Sequence, residues 1–377
     1  MLERKAMRIM AVRRLLQVAA IALAVLLLWA IFMRGDVGND AGLPSSPGEE
    51  LPDGQAPGVR RQDDGIIKVG LTMDTLQEER WIKDQEMFGE AVKALGAEFI
   101  VMTADSDDAK QIEQAETLIG MGVDILVVVP HDAEAAATIV NKAHAAGIKV
   151  MSYDRLVRNA DVDLYVSFDN ERVGELQAEA ITKRIPAGKY VYIGGPETDY
   201  NAHLVKKGVF NVLQPYIDRG EITIVFDQWT RDWQPANARD NMRIALEANE
   251  GRIDAVIAGN DGTAGGAIEA LAEWGLAGQV PVAGQDAELA AAQRIVAGTQ
   301  TMTVYKPIRQ LAEVAAELAV KMAKGETPRA DRLVNNGKLD VPSVLLTPIA
   351  VNADNIDETI IADGFHAREE VYKHIER

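Results

Sequence analysis

A chain of 377 residues, 47% of them hydrophobic, exceeds the size at which a single core usually stops growing, so two cored lobes are expected. The formal net charge of −18 argues against a nucleic-acid surface, which needs a basic stripe to release phosphate counterions. The absence of cysteine excludes disulfides, thiolate metal sites and a lipidated N-terminal cysteine.

The N-terminus carries Arg4, Lys5, Arg8, Arg13 and Arg14 against one acid, Glu3, and runs into an apolar stretch over residues 15–33 broken only by Gln17. That length suits a bilayer-crossing helix, and the basic flank stays cytoplasmic by the positive-inside rule. Residues 1–34 are therefore expected to form a membrane anchor, with a cleaved signal peptide as the alternative. Everything after it is exported. Residues 35–65 are rich in Gly, Pro, Ser and Asp and read as a solvated tether.

From Ile66 onward, short aliphatic runs at 67–71, 98–102, 125–129, 149–152, 164–167, 190–193, 222–226, 255–258 and 280–283 alternate with helical patterns at 109–121, 133–146, 172–185, 236–248 and 263–273. Continuous apolar strands separated by helices indicate α/β architecture with parallel sheets covered on both faces. The series has two halves of similar rhythm, dividing near 168–170, so the fold class is two Rossmann-like doubly wound lobes.

Open α/β sheets bind ligands at the carboxyl ends of their strands. In the first half the strand ends carry Glu79, Arg80, Trp81 and Lys83, then Tyr153, Asp154 and Arg155; the first strand of the second half leads to Asp199 and Asn201. The second half adds Trp229 and Trp233, Asn260 and Asp261, Asp286, and finally Lys306. Carboxylates, amides and cations can hold neighbouring hydroxyls while indoles cover the C–H faces of a ring. The cations are balanced by Asp154, Asp199 and Asp286, so a neutral polyhydroxylated ring is the expected guest. Trp229 and Trp233 lie four apart in a proline-bounded loop, and Trp233 is the one expected to reach the site.

Other signals have plainer readings. Asp105, Asp107 and Asp108, with Glu116 at the twelfth position, suggest a calcium loop, but Lys110 stands where the sharp turn needs glycine, and a helix N-cap explains the run. Gly262, Gly265 and Gly266 lack dinucleotide spacing, and close helix–sheet packing accounts for them. The five histidines show no metal-ligand spacing, and there is no G-x-S-x-G elbow. Neither a metal nor a cofactor is implied. The acids sit among amides and cations in both halves, which suits holding a sugar rather than cleaving one.

Over roughly residues 68–366 the stretches "ERWIKD", "YDRL", "SFDNERVGELQA", "GNDGTAGGAIEAL", "GQDAELA", "AGTQTMTVYKP" and "VNNG" resemble, in order, the periplasmic D-xylose-binding proteins of ABC transporters, within the ribose/galactose-type (type I) sugar-binding family. The resemblance implies two lobes joined by three hinge strands. The first is expected at 66–168 plus about 304–340, the second at 169–303 plus about 341–377. It places ligand contacts at Arg80, Trp81, Arg155, Asp199, Asn201, Trp233, Asn260, Asp286 and Lys306, with Lys83 and Asp154 as further possibilities. It implies D-xylose or a closely related monosaccharide as ligand and an ABC permease as partner. A membrane-spanning leader also resembles the arrangement in which such a protein works beside a sensor histidine kinase, so a sensing ectodomain is the alternative. A LacI-type repressor shares the fold but needs a helix-turn-helix where this chain has an apolar segment.

Overall fold

The computed structural model describes residues 65–375. The expected anchor at 15–33 and all but the end of the expected tether lie outside them. No helix among the described residues is long and apolar enough to cross a membrane.

In the first lobe β1 (Lys68–Met73), α1 (Glu79–Ala94), β2 (Glu98–Thr103), α2 (Asp108–Gly120), β3 (Ile125–Val128), α3 (Ala137–Ala145), β4 (Lys149–Tyr153) and β5 (Leu164–Phe168) follow one another. The second lobe repeats the rhythm with α4 (Asn170–Arg184), β6 (Gly188–Ile193), α5 (Tyr200–Asp218), β7 (Ile222–Gln228), α6 (Pro235–Ala248), β8 (Ala255–Ala258), α7 (Asp261–Glu273), β9 (Val282–Ala283), α8 (Leu289–Val296) and β10 (Thr303–Tyr305). The chain then returns to the first lobe for α9 (Ile308–Ala323), β11 (Arg332–Asn335) and β12 (Asp340–Leu346), and ends in the second with β13 (Ile349–Val351).

The first sheet has the order β11-β12-β5-β4-β3-β1-β2, the second β7-β6-β8-β9, extended by a bridge from Ala283 to Met302 toward the β10–β13 pair. Strands β1 to β5 are parallel, as are β6 to β9. Both faces of each sheet are buried. Along β3, for example, Ile125 and Val127 enter one core with α1 and α9, while Leu126 and Val128 enter another with α2 and α3. This double burial is why the strands read as unbroken apolar runs.

Two expectations need correction. The sheets are mixed, not purely parallel, because β11 runs antiparallel to β12 and β10 antiparallel to β13. The lobe boundary expected after residue 340 falls after Leu346, because β12 pairs in parallel with β5 from Ser343 to Leu346. The chain crosses between lobes at Asp169, at Lys306 and Pro307, and at Thr347 and Pro348.

Of two plainly read motifs, one matches the structure and the other needs correction. Asp107 caps α2, its carboxylate accepting from the Lys110 amide at 2.9 Å. A Cβ on Gly266 would lie 2.1 Å from the Pro235 carbonyl, so that glycine permits close approach of α7 to α6, helix against helix rather than helix against sheet.

Candidate functional site

The carboxyl ends of both sheets face each other, and the loops beyond the strands line one cavity. Its walls are Glu78, Arg80, Trp81, Asp154 and Arg155 from the first lobe, Asp199, Asn201, Trp233, Asn260, Gln285 and Asp286 from the second, and Lys306 from a crossing. Every one of the nine principal residues expected from the sequence is among them, as is Asp154. Lys83 is not. One turn beyond Glu79 on α1, it pairs with that carboxylate at 2.8 Å and donates to the Phe365 carbonyl at 3.1 Å, because its side chain leaves the helix toward the C-terminal segment.

Three cations, Arg80, Arg155 and Lys306, organise the walls. Arg80 donates to Asp154 at 2.8 Å and to Asp84, one helical turn on, at 2.7 Å. Arg155 donates to Asp74 at 2.6 Å and, across the cleft, forms an ion pair with Asp199 at 2.8 Å. Lys306 lies 2.9 Å from Asp286, which is also 3.6 Å from Arg80. The Asp286 Oδ1 atom is thus held by charge without an aligned hydrogen bond. All of these side chains are nearly inaccessible, so the pairs depend on one another to offset desolvation. Burial works against the charge of Asp154, but Arg80, then Lys306, outweigh it and hold its carboxyl below the ordinary range. For Asp199 burial wins over Arg155, and its carboxyl is pushed up.

Asp199 has little left to give a guest. It caps α5 through the Asn201 amide at 2.9 Å, accepts from Trp233 Nε1 at 3.1 Å and is paired with Arg155. Asn201 in turn donates across the cleft to the Asp154 carbonyl at 3.1 Å and its Oδ1 at 3.2 Å. Asn260 spends its side-chain oxygen on the cap of α7, so its amide N–H is what it can offer a ligand.

The indoles differ in kind. Trp81 is 3% exposed and belongs to the first-lobe core, yet its ring also carries the guanidinium of Arg80 at 4.1 Å and of Arg155 at 5.1 Å. It is packing and platform at once. Trp233 lies over the β6 loop, where a Cβ on Gly195 would come within 2.2 Å of the ring. Trp229 instead meets the tilted ring of His203 at 4.8 Å and lies under Lys206 at 4.5 Å, outside the cavity. Asp154, Asp232, Trp233, Asp286 and Ala287 all take positive φ, so left-handed backbone gathers where loops re-aim side chains into the cavity.

Glu78 and Gln285 were not legible as wall residues. Each holds a buried side-chain oxygen without a hydrogen-bond partner, and Arg80 Nε is a buried donor in the same condition. Behind the wall, Tyr153 donates to Asp84, and His131 meets Asp74 at 2.9 Å. Asp84 could have been found by its i, i+4 spacing from Arg80. Among the described residues, no cluster of side chains could hold a metal ion.

Residues 69–327 match the family model described as periplasmic binding protein domain. The chain belongs to the periplasmic binding protein family. Within that family it is 50% identical over 305 residues to a D-xylose-binding periplasmic protein of Escherichia coli, covering 81% of this chain and 92% of that protein. A D-xylose-binding periplasmic protein of Haemophilus influenzae is 50% identical over 306 residues, with the same coverage. Among periplasmic binding proteins of known structure, an ABC transporter solute-binding protein from Clostridium phytofermentans with bound β-D-glucose superposes with a TM-score of 0.75 at 30% identity, over 81% of this chain and 99% of that one. These similarities are to binding proteins, in keeping with a site that holds rather than reacts.

Proposed function

We propose that this chain is the extracytoplasmic receptor of an ABC sugar transporter and encloses one D-xylose between its lobes. The observation that carries the reading is the central cavity, where unpartnered buried donors and acceptors from both lobes converge beside two indoles. Such an array suits a neutral ring bearing many hydroxyls, and the two relatives at 50% identity supply the sugar's name. Arg80, Asn260, Asp286 and Lys306 read the hydroxyls directly. Arg155, Asp199, Asn201 and Asp154 hold that array in place, and Trp81 and Trp233 cover the ring. Closure occurs by rotation about the crossings at Asp169, Lys306 and Thr347, with bound sugar favouring the closed state through contacts from both lobes. No finding supports the sensory alternative.

Calorimetry on the full-length protein tests the reading. One D-xylose per chain is expected, bound more tightly than D-ribose or D-glucose; tighter binding of either competitor would refute the assignment. The membrane anchor at 15–33 is part of the same proposal. Retention of the protein in membranes washed with high salt supports it, because burial of an apolar run is not electrostatic. A soluble form starting near residues 35–41 would establish cleavage instead.

A further inference from the structure

Each carboxylate of the cavity wall but one has a cation: Asp154 has Arg80, Asp199 has Arg155 and Asp286 has Lys306. Among the described residues Glu78 has no ion pair, and its Oε2 is buried without a hydrogen-bond partner. It immediately precedes α1 yet makes no side-chain cap to that helix. An ionised carboxylate only accepts hydrogen bonds, and leaving one of its oxygens dry costs free energy. Something must donate to it. Glu78 also lies, with Trp233 and Asn260, on the boundary between the central cavity and an adjoining one at the cleft mouth.

Building on the D-xylose reading, we propose that Glu78 is a specificity-determining residue whose Oε2 accepts a hydrogen bond from the sugar hydroxyl nearest the cleft mouth. Asp154, Asp199 and Asp286 each face a cation of their own, whereas Glu78 has none, so its carboxylate can discriminate a hydroxyl from a hydrogen at that ring position.

The interaction is coupled to protons. Burial pushes the Glu78 carboxyl up, partly offset by Arg155 and by the residue's own backbone N–H, with Asp74 and Asp286 adding to the rise. On the mouth side Asp232 and Glu288 line the adjoining cavity, as does Glu79. A hydroxyl donating to the ionised form pulls the equilibrium back, so sugar binding releases protons at mildly acidic pH.

The test uses the full-length wild type with the Glu78→Gln and Glu78→Leu variants. D-xylose calorimetry is run near pH 5.5 in two buffers of different ionisation enthalpy, with melting curves to confirm folding. Glu78→Leu is expected to weaken D-xylose at least tenfold. Glu78→Gln, which keeps an acceptor, should lose less than about threefold but abolish most of the proton release. Leucine-variant affinity within twofold of wild type, proton uptake on binding, or undiminished release in Glu78→Gln would overturn the assignment. If Glu78→Leu fails to fold, the glutamine variant decides through its proton count. Failure of the wild type to bind D-xylose would instead refute the underlying functional reading.

Discussion

Arg155 Nε and Asp199 Oδ2 lie 2.8 Å apart across the cleft, one on the loop after β4 and the other capping α5, so this ion pair spans the two lobes. The same guanidinium holds Asp74 at 2.6 Å, and burial already pushes the Asp199 carboxyl up against the pull of Arg155.

Arg155→Ala leaves two buried carboxylates without their cation. D-xylose affinity should fall by about 2–5 kcal/mol, and the melting temperature should drop as well. Arg155→Lys keeps the charge but cannot fork between Asp74 and Asp199, so it should recover stability more fully than affinity. Calorimetry and thermal denaturation of both variants would check this; a lysine variant with wild-type affinity would show that charge alone suffices.

The two indoles should separate by the property they damage. Trp81 is nearly inaccessible and in the core, so Trp81→Ala should cost about 3–5 kcal/mol of stability, as large-to-small core changes do, in addition to affinity. Trp233→Ala should mainly cost affinity, about 1–3 kcal/mol, because its ring packs against loop glycines and orients Asp199. Denaturant unfolding beside calorimetry measures both. Equal stability losses would mean that Trp81 does not have its double role.

The site was legible because of where strands end. A parallel sheet delivers its loops to one edge, so residues just past each apolar run converge whatever their distance in sequence, and Arg80, Arg155, Asn260 and Asp286 were found that way. Lys83 was misplaced because helical position, not proximity to the strand, sets direction, and its i, i+4 spacing from Glu79 carried the better signal. Glu78 and Gln285 adjoin recognised motifs, but nothing local says which side of the loop a side chain takes. The β11–β12 hairpin was invisible for another reason. Its place depends on pairing with β5, far away in sequence, and its "VNNG" turn is fixed by Asn336, which donates to the carbonyls of Val157 and Ala160.

Stability should decline on the alkaline side. His131 is raised above its ordinary 6.5, first by its hydrogen bond to Asp74, so its contribution is full below that value and lost as pH rises through the folded one. Glu288 is pushed up from 4.5 to about 8 by burial, then by Asp261 and Asp286, and Asp261 from 3.8 to about 7, chiefly by burial. Both carboxyls bind protons more tightly folded than unfolded, so their contributions also fade as pH climbs to about 8. Asp154, held low, acts oppositely and loses its contribution only in acid as pH falls through its folded value. Melting temperature should therefore fall from pH 5 to pH 9, and His131→Asn or Glu288→Gln should each flatten the decline by a few °C. An undiminished slope in both variants would contradict these assignments.

Glu79 closes the cleft without lining the central cavity. Its Oε2 accepts from the Leu289 amide at 3.0 Å, joining α1 of the first lobe to the first turn of α8 in the second, while Oε1 is held by Lys83 at 2.8 Å. The Leu289 N–H is one of the helix-start donors that have no partner inside the helix, so an acidic oxygen is favoured there. This contact requires the lobes to be together, and removing it should therefore penalise the closed state alone. A hydrogen bond to a partly exposed carboxylate is worth about 0.5–1.5 kcal/mol, which corresponds to a roughly two- to tenfold loss of apparent sugar affinity through the closed population. Glu79→Ala should show that loss chiefly as faster release of D-xylose, and small-angle scattering should give a larger radius for the unliganded variant. Glu79→Gln, which can still accept from Leu289, should fall between the two. If Glu79→Ala releases sugar at the wild-type rate and its unliganded radius is unchanged, the bond to Leu289 forms without helping to hold the lobes closed.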